Sequence, residues 1–569
     1  MFRAKVAASP TLGILKLATR RRYKLRHDPC LFVTSLFISV SMIIMPLEAY
    51  VSEMLPWTSP APFNPPFATF AEFNGTTLAT VQALYNRDTL PVGARYVANP
   101  ERNSYVLRRL VRPLNDSSMT DGSTQCLASF LVGLPGVLFY GPAMNDILCT
   151  FAASGGATTS GTCLTVTFLS LPIANECLWL QRGNDLAMTN QSEDFTLTFA
   201  LTQYPYPWLL WLKFVTRVVS TSVILHCLWF KYYRHYFSVA RYLCRHGHQS
   251  NLKKKYVWCY HLIAGDPTVI LVTNPYVVGG FFLDLCLSPH VIAASVLKLL
   301  QIDDITTLLS AALYLFRMVW IAYASLCVTS YGLKKYRKEH MFAEVDPTLM
   351  TITIVCYGPF IWLLGGFVPD FLEWWQWLLV CVEPAPLERI EILFVGGVYI
   401  VLVACLPLSY GFVAGYLRSG KPRHGALINF TKYASFQYNS LKNRALFTVS
   451  HPVRGSDAIS GTSYGGLMYA LFDWNPRYKA VPTMNLRGAD CFLLCYCNDH
   501  LASRMRLSLL HALDCNLSDP QLAIRINPRP SQYPANALEI TRLASETGSL
   551  AEASQIVLSL PRKPSLWCI

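Results

Sequence analysis

Charged residues are scarce in this 569-residue chain: Asp, Glu, Lys and Arg make up 14% of it, against about 25% in ordinary soluble domains. That scarcity excludes an ordinary soluble surface, and a mean hydropathy of +0.31 agrees. Acidic residues are the scarcer sign, 34 against 48 basic, for a formal charge of +14. A basic surplus can serve nucleic-acid binding, but here it sits in short clusters beside apolar runs. No basic groove interleaved with aromatic residues is present, so nucleic acid is not expected as a partner.

Catalytic signatures are also lacking. SGKPRHG does not have the Gly-x4-Gly-Lys-Ser/Thr of a phosphate loop, and SYGGLMY has no lysine after its glycines. The chain is read as carrying no nucleophile elbow and no His-Glu-x-x-His metal helix. Cys491, Cys495, Cys497 and His500 offer thiolates and an imidazole, yet their spacing fits no usual zinc module. CFLLCYC reads instead as a buried strand using cysteine as a small apolar residue. No metal and no other cofactor is assigned.

What the chain does have is apolar residues gathered into runs of about 20, the length that crosses a bilayer. The expected fold is mainly α: a polytopic helical membrane protein of about six spans. It carries a disulfide-linked, partly β extracellular or lumenal domain and a mixed cytosolic tail. Residues 1–29 hold eight basic side chains and one acidic one, Asp28, which keeps that flank in the cytosol. Residues 30–50 read as an uncleaved signal anchor, because PLEAYVSEM offers no small-x-small cleavage site.

Residues 51–206 reverse the bias, with 11 acidic and 7 basic residues, and read as the exterior domain. Asn74 (NGT), Asn115 (NDS) and Asn190 (NQS) are N-glycosylation acceptors there. Cys126, Cys149, Cys163 and Cys177 predict two disulfides, with three pairings open. Further spans are expected at 207–230, 267–288, 305–330, 347–367 and 391–416. Between them lie basic cytosolic loops at 231–266 and 331–346, an outer interfacial helix at 289–304 and a Trp-rich outer loop at 368–390, before the cytosolic tail, 417–569. Every flanking basic cluster falls on one side, which puts both termini in the cytosol, at the plasma membrane or an endomembrane.

Asp266-Pro267-Thr268 and Asp346-Pro347-Thr348 stand between a basic loop and an apolar run. Asp accepts the orphan amides of a first helical turn, and proline suits the first helical position. Both copies therefore predict helix starts, at spans 267–288 and 347–367, and suggest a duplicated two-helix unit. The stretches FRMVWIAYASL, KKYRKEHMFAEVDPTLM and GDPTVILVTNP resemble large, uncharacterised families of multi-pass membrane proteins from oomycetes, over roughly residues 255–425. The resemblance implies membrane residence; those families have no established activity, so no residue role carries over.

Charges inside the spans are the best functional lead, because each costs about 2.5–3.5 kcal/mol to bury. Lys213 and Arg217 share a face at i and i+4, Asp284 and Arg317 lie in the next two spans, and Asn274 precedes a proline. One reading is a polar pathway for an anionic substrate. The other pairs Arg317 with Asp284 inside the bundle while Lys213 snorkels outward. The expected function is a non-enzymatic membrane protein whose glycosylated ectodomain serves recognition or scaffolding. A transporter or channel is the alternative, and a membrane enzyme acting on lipid or glycan a third. Expected partners are the bilayer, anionic inner-leaflet lipids at the basic loops, and extracellular or cytosolic proteins.

Overall fold

The computed structural model describes residues 24–569 except 59–66, 68, 87–88, 100, 113–125, 127–129, 155, 158–159, 184–193, 205, 247–257, 301–304, 381–388, 420–429, 451–461, 499, 515–521, 528–536 and 543–565. Strand β1 (Lys24–His27) leads into α1 (Pro29–Glu48). Then come α2 (Phe70–Leu84), β2 (Tyr96–Asn99), β3 (Ser104–Val111), α3 (Pro142–Ala153), β4 (Gly161–Phe168), β5 (Leu171–Arg182) and β6 (Phe195–Gln203). The helical middle comprises α4 (Pro207–Leu228), α5 (Arg234–His246), β7 (Trp258–Ile263), α6 (Thr268–Val272), α7 (Pro275–Cys286), α8 (Pro289–Leu299), α9 (Ile305–Leu315), α10 (Val319–Tyr336), α11 (Pro347–Phe367) and α12 (Pro369–Val380). β8 (Arg389–Glu391) precedes α13 (Leu393–Ser419). The tail adds α14 (Leu441–Ser450), β9 (Thr462–Tyr464), α15 (Leu467–Trp474), β10 (Cys491–Cys497), β11 (His500–Leu509), β12 (Leu522–Asn527), β13 (Ala537–Arg542) and β14 (Trp567–Cys568).

Seven of these helices (α1, α3, α4, α7, α8, α11 and α12) open on a proline. The missing N–H costs nothing there, and the fixed φ is already helical. Three of the seven also have a side-chain cap: Asp28 accepts from Leu31 N at 2.9 Å, Asn274 from Tyr276 N at 3.0 Å and Asp346 from Thr348 N at 2.9 Å.

Among the described residues, five helical stretches are long and apolar enough to cross a membrane: Pro29–Val51, Pro207–Cys244, Ile305–Tyr336, Pro347–Phe367 and Leu393–Arg418. The span expected at 267–288 is not one continuous helix: it is interrupted at Asn274-Pro275. Asp266 accepts from Thr268 N at 3.1 Å, but it starts only the five-residue α6. That helix stops at Thr273, and Asn274-Pro275 restarts the chain as α7. A proline lacks the amide needed to continue the earlier helix. α7 and α8 together pass as one span only as a pair bent by 73°. The expected surface helix at 289–304 is likewise corrected. α8 is buried along Val291, Ala294, Val296 and Leu299, and its Lys298 lies over the rings of Tyr96 and Tyr105 at 5.5 and 4.6 Å. PHVIAASVLKL is apolar nearly all round, and such a helix is buried rather than floated on one face.

Two sheets cap the helical layer. The first has the order β2-β3-β6-β5-β4-β8, with β8 parallel to β4 and the other pairs antiparallel. Its central strand β6 is buried at every position. α2 covers one face through Phe73 and Val81, and Tyr140 and Phe151 cover the other. Cys163–Cys177 links β4 to β5, and Cys126–Cys149 ties residue 126 to α3. The Trp-rich segment 368–390 is not a loop at its start: α12 buries Leu372 and Trp375, and Gln376 Nε2 donates to Val137 O at 3.0 Å.

The second sheet has the order β1-β7-β10-β11-β14, with β9 also on β11. It draws on the amino-terminal flank, the 231–266 loop and the tail, so the tail is not a separate small domain. The loop itself is largely helical where described, since α4 continues through a π turn at Trp229–Tyr233 into α5. β6 leads into α4, β8 into α13, β1 into α1 and β7 into α6, so the helices run between the two sheets. One apolar core is continuous from Phe199 in the first sheet through Trp320 and Trp362 to Leu493 and Trp567 in the second.

Both Asp-Pro-Thr copies meet the same helix. Lys442 Nζ, on α14, binds Asp266 Oδ2 at 2.8 Å, and Leu441 N donates to Asp346 Oδ2 at 3.3 Å. The loop 483–488 completes the joint: Asp266 N donates to Gly488 O at 2.8 Å and Val345 N to Thr483 O at 2.9 Å. The paired motif is thus a seat for the tail as well as a pair of caps.

Candidate functional site

Of the five intramembrane polar residues picked out by sequence, the structure joins four in one buried cluster and adds a fifth charge. Glu53 follows the 3-10 turn that ends α1, with its amide on Ala49 O at 3.1 Å. Its carboxylate takes Lys213 Nζ at 2.7 Å, Arg217 Nη2 at 2.7 Å and the Tyr314 hydroxyl at 2.5 Å. Lys213 and Arg217 reach it together because they are one helical turn apart on α4. Asp284 on α7 accepts Arg217 Nε at 2.8 Å and also pairs with Arg317. Arg317 comes from a 3-10 break, Phe316–Met318, between α9 and α10, and its Nη1 lies 3.5 Å from Glu53.

Lys213, Arg217 and Glu53 side chains are 0% exposed. Lys213 does not snorkel outward: a carboxylate beside it removes the reason to reach for water. Three cations against two carboxylates leave one positive charge in excess, spread over rings as well. The Arg217 guanidinium lies 4.5 Å from the Tyr50 ring and that of Arg317 lies 5.1 Å from the Tyr314 ring. Arg217 Nη1 and Arg317 Nε have no hydrogen-bond partner among the described residues. Burial pushes the Glu53 carboxyl up, but Lys213, Arg217 and Arg317 together outweigh that and hold it well below the ordinary carboxylate range. It is therefore ionised at neutral pH.

Asn274 stays outside the cluster. It caps α7 and donates through Nδ2 to Cys227 Sγ at 3.0 Å. Sequence reasoning missed Glu53 by assigning it to the exterior domain. A usable signal was present: three buried cations with only Asp284 to oppose them call for another acid near a helix end, and Glu53 lies a few residues past the first apolar run.

Two other expectations meet the structure. Asn74 lies on α2 and is half-buried, its Oδ1 accepting from Cys163 N at 2.8 Å, so its amide is engaged in the fold. Asn115 and Asn190 lie outside the described residues. CFLLCYC forms strand β10, with Cys491 and Cys495 buried.

Two features were not read from the sequence. GTSYG at 461–465 does fit the Gly-x-Ser-x-Gly spacing. Ser463, however, sits inside β9, paired in register with Arg504, not on a sharp turn. No histidine hydrogen-bonds it among the described residues, so the spacing makes no elbow. Glu176 is the second feature, a fully buried carboxyl on β5 opposite Leu164 and Leu201, with neither oxygen partnered among the described residues. Burial pushes it well above its ordinary value of 4.5. The folded state therefore keeps a proton that the unfolded state releases, and stability falls as pH rises above about 4.5. The slope approaches about 1.4 kcal/mol per pH unit until the folded-state value is passed. Unfolding curves of Glu176→Gln should lack that slope; a variant with the wild-type pH dependence would refute the assignment.

No protein-family model, curated protein or solved structure matches this chain.

Proposed function

We propose that this chain is an integral membrane scaffold or receptor without catalytic activity, whose outer, disulfide-bonded domain is the recognition surface. Its basic, inner domain lies in the cytosol of a plasma membrane or endomembrane. The observation that carries this reading is the closed charge cluster. Lys213, Arg217, Asp284 and Arg317, the charges picked out inside the spans, all close on one another or on Glu53, where α1, α4, α7 and the α9–α10 junction converge. Such pairs seldom add net stability over apolar packing, but they are well suited to holding helices in one register. With the core continuous from sheet to sheet, a partner on the outer domain would meet a frame rigidly joined to the inner one. The resemblance to oomycete membrane families adds membrane residence to this reading and no residue role.

Ser288 tests it, being fully buried at the α7–α8 bend beside Tyr314. A Ser288→Cys variant in sealed vesicles should resist a membrane-impermeant thiol reagent from both sides, read peptide by peptide by mass spectrometry. Val51→Cys, at a position 87% exposed, should label. The alternative is a transporter for a small anion. It has its own support: helices break at Asn274, Ser288 and Arg317 around an excess positive charge, as at some transporter sites. Labelling of Ser288→Cys from either side, slowed by chloride or phosphate, would establish that alternative and end the scaffold reading.

A further inference from the structure

A second cluster of charge lies outside the spans, in a cavity of about 470 Å³ where the apolar stretch Leu393–Arg418 ends. Four cations, Arg418, Lys432, Lys479 and Arg487, face two carboxylates, Glu344 and Asp473. Glu344 holds Lys479 and Arg487, each at 2.6 Å. Asp473 accepts from the hydroxyls of Tyr433 and Tyr438, at 3.0 and 2.9 Å, and lies 3.5 Å from Arg487. Both acids are thereby engaged within the protein. Arg418 and Lys432 are exposed and have no ion-pair partner among the described residues. Lys432 rests 5.6 Å from the rings of both Tyr433 and Tyr438, and Arg487 stacks 3.7 Å from Tyr438. The cavity is thus a net +2 site with two cations held by ion pairs and two exposed ones, Arg418 and Lys432, outside any ion pair among the described residues.

Its membrane-side wall is built by close packing. Gly411 and Gly415 on α13 face the ring of Phe342 and the carbonyl of Met341, leaving no room for a Cβ, and Ala343 N donates to Gly411 O at 2.9 Å. Near that contact Arg418, at the end of α13, lines the cavity together with Glu344. Phe342 and Phe472 make the lining half apolar.

We infer that this cavity binds the headgroup of an anionic phospholipid bearing a phosphomonoester. Guanidinium and ammonium donors match phosphate oxygens, and the volume falls within the range of about 300–1,000 Å³ usual for small-molecule sites. The depth selects a lipid over a soluble phosphate. The mouth opens where a span ends, so the headgroup enters while its acyl chains stay beside α13. This assignment rests on the membrane reading above, with the basic side facing the anionic leaflet.

The test uses the full chain in nanodiscs of phosphatidylcholine, with phosphatidylserine or phosphatidylinositol bisphosphate added, and counts retained lipids by native mass spectrometry. Wild type should retain the bisphosphate lipid selectively. Arg418→Gln/Lys432→Gln should weaken retention about tenfold or more, from the loss of two charge-assisted contacts. Lys335→Gln/Lys338→Gln, with the same charge change at exposed positions outside the cavity, should leave it unchanged. Equal retention of phosphatidylcholine and the bisphosphate lipid, or equal loss in both double variants, would overturn the site. Displacement by free inositol trisphosphate at equal concentration would assign a soluble ligand and overturn the lipid. Failure of the chain to enter nanodiscs would overturn the membrane reading itself, whereas insertion without selectivity overturns only the cavity.

Discussion

Replacing Glu53 by Gln should cost about 3–5 kcal/mol, the usual penalty for breaking a buried ion pair from one side. Glutamine keeps the shape but leaves Lys213, Arg217 and Arg317 facing Asp284 alone, so the buried excess rises from one positive charge to two. The unfolding midpoint in nanodiscs should fall sharply. Adding Lys213→Met to Glu53→Gln returns the excess to one, and part of the lost stability should return with it. A Glu53→Gln protein as stable as wild type, or a double variant less stable than the single, would sink the network as a structural clamp. The pH dependence supplies a second readout. The folded-state carboxyl of Glu53 is held below its ordinary value of 4.5. Its contribution is therefore complete above about pH 4.5 and is lost as pH falls toward the folded-state value. Wild-type and Glu53→Gln curves should run parallel near neutrality and converge in acid.

Trp567→Ala should open the second sheet, β1-β7-β10-β11-β14. The indole is 1% exposed and lies 5.8 Å from Tyr232, on the π turn after α4. Its strand pairs with β11 at Leu509, and Leu510 N donates to Leu566 O at 2.7 Å. Truncating a buried tryptophan to alanine costs about 3–5 kcal/mol. Amide exchange should accelerate in β10, β11 and β14 and stay unchanged in β5 and β6, which lie in the other sheet. Uniform acceleration would mean the two sheets unfold as one unit, and no change would remove Trp567 from the inner core.

Much of the candidate cluster was legible one residue at a time. Lys213, Arg217, Asp284 and Arg317 stand out because a charge in an apolar run is expensive wherever it occurs, and that cost is visible locally. Glu53 did not stand out, since its own neighbourhood, YVSEMLPW, carries no apolar run to make it anomalous. The same limit explains the two Asp-Pro-Thr copies. Both accept helix amides as their residue types require, yet one starts a 21-residue helix and the other a five-residue turn. What ended the second helix early was Asn274-Pro275, a cap and a breaker that act together. Gly411 and Gly415 pack on the Phe342 ring and the Met341 backbone, a counterpart that nothing in their own neighbourhood names and only the fold identifies.

Sequence alone determined the apolar helices, the proline-marked helix starts and the four cysteines that form the disulfides. The helices and their starts follow from hydropathy and capping, which act over one to six helical turns. Tertiary structure alone decided the disulfide pairing, the composite second sheet and the seat that α14 makes on both Asp-Pro-Thr copies. It also decided the meeting of Glu53 with Lys213, 160 residues away in the chain. Those pairings depend on which surfaces packing brings together, and a buried charge states only that it needs a partner, not where in the chain that partner lies.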